Sequence, residues 1–191
     1  MILLTAFEPF LTEDGTRLAT NPTMDLAAEV ARRLPDVATL VLPVAYDATR
    51  VALLDAFERL QPRIWVGLGL ASTRTRLELE AVALNVEHAE RDDNAGARPI
   101  DRPILPGAPL ALRTRLDVHA HAARLSALGL PVGVSFHAGT FLCNQALYLG
   151  CHAAETTGVP ALAVFVHVPS PAAVPLEVGV AAIIELLAAL G

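Results

Sequence analysis

The stretch FHAGTFLCNQALY, residues 136 to 148, sets Cys143 just past a glycine and a threonine, where a helix is expected to open. With Thr140 as its N-cap, Cys143 falls in the first helical turn, where unpaired backbone N–H groups and the helix dipole favour an anion. A thiol of ordinary pKa, about 8.5, is lowered by such a site, and further by an imidazolium alongside. The same N–H groups could cradle the oxyanion of an acyl-transfer intermediate. The competing reading is a small core side chain, because cysteine is among the residue types most often buried. The Ala138-Gly139 pair favours the reactive reading by clearing bulk where a carbonyl would approach.

A nucleophilic thiol needs a base, and the chain has His88, His119, His121, His137, His152 and His167. His167 lies near the carboxyl end of the strand-like AVFVHVP, and open α/β sheets bind ligands beyond the carboxyl ends of their strands. Cys143 follows another such segment, so neighbouring strands are expected to bring thiol and imidazole to one rim. His137 is the local rival, being closest in sequence. His119 and His121 are two apart, which on a helix points them to different faces. The third member would be a carboxylate that orients the imidazole. Glu78 and Glu80, in LELEAVALN, share one face of an otherwise apolar strand, and a buried carboxylate there would need a partner. VGLGLAS has a G-x-G after a strand but lacks the third glycine of a dinucleotide site. No Walker loop or zinc pattern occurs.

These residues must be held by a fold, and composition limits which. The chain has 191 residues, 53% of them hydrophobic, 5% aromatic and 18% charged. That is enough for one domain, residues 1–191, with a core built from Ala, Val and Leu. The formal charge is -6 and no window gathers Lys and Arg, which argues against nucleic-acid or anionic-membrane partners. Cys143 and Cys151, eight apart on one expected helix, are too distant to bond and read as reduced thiols. MILLTAFEPF lacks a basic region and a small-residue cleavage site and is too short to span a bilayer. A cytoplasmic location is expected.

Strand-length apolar runs alternate with helical segments, the pattern of an α/β sheet with largely parallel strands. Strands are expected from Ile2, Val37, Arg63, Leu77, Pro131 and Ala161. Asn21 with Pro22 caps a helix to about Leu34. Asp47 is the expected cap of a second, to about Leu60. A third runs from Val118 to Leu128 and closes on Gly129; a fourth follows Thr140 and a fifth follows Pro175. Residues 87–109 lack periodicity and are long for a loop, so a functional flap is expected there.

TAFEPF at 5–10, NPT at 21–23, VGLGLA at 66–71, LELEAVALN at 77–85, DNAG at 93–96, SFHAGTFLCN at 135–144 and FVHVP at 165–169 occur in this order. Together they resemble the pyrrolidone-carboxylate peptidases, or pyroglutamyl peptidase I, a family of cytosolic cysteine peptidases. The resemblance implies a three-layer α/β/α sandwich, often a homo-tetramer, that removes N-terminal pyroglutamate from a small peptide without a metal or organic cofactor. It implies Cys143 as nucleophile, His167 as base and Glu80 as third member, the spacing to Val82, Ala83 and Asn85 selecting Glu80 over Glu78. It also gives Phe10, Phe141 and Leu142 to the lactam pocket.

The chain departs from the family pattern in several places. Leu11 and Thr12 replace two glycines, Glu13 or a neighbour replaces a second aromatic, and Ala81 stands where a basic residue normally follows the glutamate. Glu90 falls where an arginine is expected, with Arg91 next to it as a substitute. These departures keep two alternatives in view: a catalytically weak homologue that binds peptide ends, and an enzyme for another small amide or a nucleoside.

Overall fold

The computed structural model describes residues 1–11 and 18–190. Six strands form one sheet in the order β2-β1-β3-β8-β4-β7: β1 is Ile2–Phe7, β2 Val37–Leu42, β3 Ile64–Leu70, β4 Leu77–Glu80, β7 Val132–Ser135 and β8 Leu162–Val168. All neighbours are parallel except β4 against β8. A small antiparallel pair, β5 (Val82–Leu84) with β6 (Ala111–Arg113), stands beside it. Among the described residues the helices are α1 (Pro22–Arg33), α2 (Tyr46–Leu60), α3 (Val118–Ala127), α4 (Leu142–Thr156) and α5 (Leu176–Leu190).

The three-layer sandwich follows from side-chain alternation along buried strands. On β8, Val164, Val166 and Val168 enter one core with residues of α1, α3 and α5. Ala163 and Phe165 enter the other with residues of α2 and α4. By the same alternation His167 points to the α4 side. On β4, Leu77 and Leu79 belong to the α1/α3/α5 core, which leaves Glu78 and Glu80 on the face that carries His167.

Several expected boundaries move. LELEAVAL is two strands in two sheets, broken at Ala81, whose N–H donates to Ser135 O and whose carbonyl accepts from Thr114 N–H. The short β6 carries no strand signal of its own; it exists by pairing with β5. Helix α2 starts at Tyr46, so Asp47 does not cap it. Ala45 is the N-cap without a side-chain bond, and the Tyr46 N–H donates instead to Asp93 Oδ2 at 2.8 Å. Asn21 does cap α1, its Oδ1 accepting from Thr23 N–H at 3.1 Å. Thr12 and Glu13 lie outside the described residues. Among the described residues no helix is long and apolar enough to cross a membrane.

Candidate active site

Cys143 is the second residue of α4, and Thr140 is not the cap. Phe141 is, extended at φ -93 and ψ 161 below zero, with no side-chain bond. The Thr140 hydroxyl donates instead to His88 O at 2.8 Å, while His88 N–H donates to Thr140 O. What holds the start of the helix is the pair after the cysteine. Buried Asn144 accepts from Leu84 N–H at 2.8 Å and donates to Leu84 O and Val86 O at 2.9 and 3.0 Å. Gln145 Nε2 donates to Glu87 Oε1 at 2.7 Å and to Tyr46 O at 3.1 Å. The first-turn N–H groups of α4 therefore stay on a rigidly anchored frame beside the thiol.

The imidazole does not arrive from a neighbouring strand. β4 lies between β7 and β8, and β7 runs against β8, so their carboxyl ends do not share a rim. Residues 136–141 carry the chain back to where α4 begins, and the intervening strand supplies the carboxylate. Glu78 sits directly opposite His167 in the ladder, which puts Glu80 on the diagonal, within reach of a long side chain. Glu80 Oε1 lies 2.6 Å from His167 Nδ1, with Glu80 fully buried and His167 5% exposed.

Electrostatics match this geometry. Burial works against a charged His167, but the Cys143 sulfur and Glu80 outweigh it and raise its pKa to about 9. Burial also works against an ionised Glu80, and is outweighed by the His167 hydrogen bond and charge. Arg74 adds to this, and the carboxyl is held below its usual range, its second oxygen having no hydrogen-bond partner among the described residues. Cys151, by contrast, is pushed up to about 12 by burial. Both cysteines are free.

Cys143 opens into a small, mainly apolar pocket lined by Phe7, Phe10, Val44, Leu70, Phe141 and Leu142, with Asn21 and Arg91 as its polar members. The Arg91 guanidinium lies 5.2 Å from the Phe10 ring centre and 5.1 Å from that of Phe141. A second, more open cavity shares Arg91 and Phe141 and adds His88, Ala89, Glu90 and Thr140. The 87–109 segment thus forms one wall of the cleft. It is strapped in place by the bridge between Glu87 and Arg102 and by ion pairs from Arg50 and Arg102 to buried Glu87.

The other candidates make their bonds elsewhere. The exposed His137 accepts Gly139 N–H with its ring, and His88 pairs with Asp101. His119 rests near Phe136 and His152 near Tyr148. Glu78 bonds Arg74 and Arg76 rather than an imidazole. Among the described residues no three His, Cys, Asp or Glu side chains gather as a metal site.

The sequence reading missed the reason for VGLGLA. A Cβ on Gly69 would lie 2.6 Å from Cys143 Sγ, and one on Gly67 would lie 2.5 Å from the Phe165 ring. These glycines make room for the thiol and for the ring beneath His167; they do not bind a phosphate. Glycine alternating with large apolar residues along the strand, which leaves one face bare at Gly67 and Gly69, was the available signal.

Its relatives make the chain a cysteine-type omega-peptidase. A family model described as pyroglutamyl peptidase matches residues 1–182. The pyrrolidone-carboxylate peptidase of Gloeobacter violaceus is 38% identical over 172 residues, covering 88% of this chain and 80% of that protein. The one from Pyrococcus furiosus is 34% identical over 171 residues, covering 88% and 80%. The crystal structure of pyrrolidone carboxyl peptidase from Fervidobacterium islandicum AW-1 superposes with a TM-score of 0.92 at 30% identity, covering 99% of this chain and 97% of that one. The chain belongs to the pyroglutamyl peptidase family.

Proposed function

We propose that this enzyme removes the N-terminal pyroglutamyl (5-oxoproline) residue from small peptides, with Cys143 as nucleophile, His167 as base and acid, and Glu80 orienting the imidazole. The observation that carries the reading is the 2.6 Å contact between His167 Nδ1 and buried Glu80, behind a thiol in the wall of an apolar pocket. In this mechanism the thiolate Sγ bonds to the carbonyl carbon after the lactam ring, and the carbonyl electron pair moves onto oxygen. Backbone N–H groups at the start of α4 stabilise that oxyanion. It collapses as the C–N bond breaks, His167 gives its Nε2 proton to the leaving amine, and a thioester remains. Water, losing a proton to His167, then attacks the thioester, releasing pyroglutamate and restoring the thiolate.

Phe10, Phe141 and Leu142 enclose the uncharged lactam, which suits a pocket with few polar groups. Arg91, next to the same pocket, supplies the cationic donor that Glu90 cannot. Residue 81 faces the core away from Glu80, so Ala81 costs the site nothing. The chain acts as one domain over residues 1–191, in the cytoplasm, where two unpaired cysteines are at home, and as a homo-oligomer. Release of a chromogenic amine from its pyroglutamyl amide tests the reading. Wild type should cleave it, the Cys143→Ser variant should not, and the corresponding proline amide should resist both; cleavage by the serine variant at the wild-type rate sinks the proposal.

A further inference from the structure

Glu80 Oε1 accepts from two directions. His167 Nδ1 lies 2.6 Å away and Arg74 Nη1 2.7 Å away, on the same oxygen. Arg74 comes from the loop between β3 and β4 and is itself held. Its Nη1 lies 2.5 Å from Glu78 Oε2, and its Nη2 donates to His137 O at 3.2 Å, at the base of the segment leading to Cys143. Arg76 closes the row with Nε 3.4 Å from Glu78 Oε1. The charged and titratable groups facing the Glu80–His167 pair are thus Cys143 on α4, Arg74 and Glu78.

We propose that Arg74, braced by Glu78, is a positioning residue for the Glu80–His167 pair. It fixes the carboxylate oxygen that the imidazole uses and sets the local charge that the thiol experiences. This rests on the reading of Cys143, His167 and Glu80 as the working residues. A carboxylate with a single acceptor contact can turn about its terminal torsion, which is broad. A second donor on the same oxygen removes that freedom and so fixes the plane of the imidazole. The charge effect has a definite sign. A nearby cation favours the deprotonated form of every group around it, so its loss raises their pKa values, and loss of the Glu78 anion lowers them.

The test is the pH dependence of Cys143 alkylation by iodoacetamide in wild type and in the Arg74→Gln, Arg74→Lys and Glu78→Gln variants, with the modified cysteine identified by mass spectrometry. The midpoint should rise by about half a pH unit or more in Arg74→Gln. It should stay near the wild-type value in Arg74→Lys and fall in Glu78→Gln. Hydrolysis of the pyroglutamyl amide by Arg74→Gln should lose kcat rather than gain KM, because Arg74 does not touch substrate. An unmoved or lowered midpoint in Arg74→Gln overturns the proposal; if that variant does not fold, an unmoved midpoint in Glu78→Gln overturns it alone. Because alkylation needs no substrate, these shifts across the variants together with a wild type that leaves the amide intact would defeat the peptidase reading and leave the role of Arg74 standing.

Discussion

At the scale of residues, the His167 pKa of about 9 predicts that kcat/KM falls as pH rises through that value, when the imidazolium that must protonate the leaving amine is lost. The sign for stability is the same: a histidine raised in the folded state contributes fully below its unfolded pKa of about 6.5, and that contribution disappears as pH climbs through about 9. Glu80, held low, contributes above the ordinary carboxylate range and loses that contribution as pH falls through its lowered value. Arg91→Ala should lower kcat/KM by about 10-fold or more, the loss of one charged hydrogen-bond donor beside the lactam pocket, whereas Glu90→Ala should leave the rate near wild type. Steady-state rates on the pyroglutamyl amide check both. Gly69→Ala should force the sulfur from its place, a displacement that can cost about 10²-fold in kcat/KM, with the alkylation rate reporting the move independently.

At the scale of elements, the site depends on how α4 begins. Asn144 satisfies two carbonyls and one N–H of residues 84 and 86. Asn144→Ala removes the partner of three half-buried backbone groups, so a fall in unfolding free energy of about 1–3 kcal/mol in all is expected in urea titration. This anchor was hidden in the sequence because an Asn-Gln pair in a first turn reads as solvated until the helix is seen to be buried. Cys143 was legible because glycine, threonine and cysteine mark the opening of a helix without reference to the rest of the chain. Thr140 as the cap was misread for a related reason: its hydroxyl answers to His88, a partner 52 residues away, which no local pattern announces. The split of LELEAVAL had the same cause, since the strand changes sheet to meet β6.

At the scale of the molecule, the alternation of strands and helices specified a sheet with helices on both faces, but not the order of its strands. That β4 runs between β7 and β8, against the latter, is set by long-range pairing. It decides which glutamate reaches His167, the diagonal one rather than the one opposite. Motifs far apart in sequence turn out to be partners for the same reason: Glu8 of TAFEPF accepts from Asn94 of DNAG at 2.8 Å and from Val44 N–H at 3.0 Å. Glu87, fully buried, ties the 87–109 segment to α2 through Arg50 and to α4 through Gln145, and closes the segment on itself through Arg102. Glu87→Ala removes the partner of buried Gln145 and of two partly exposed arginines and should cost about 1–3 kcal/mol, measured by denaturant unfolding, with the cleft wall loosened as well. The central claim, covalent catalysis by Cys143, is tested most directly by rapidly quenching the wild-type enzyme during turnover of a pyroglutamyl ester and mapping the adduct by mass spectrometry. A single pyroglutamyl group on the peptide containing Cys143 is the predicted result; turnover with that peptide unmodified, or with the group on another residue, would contradict it.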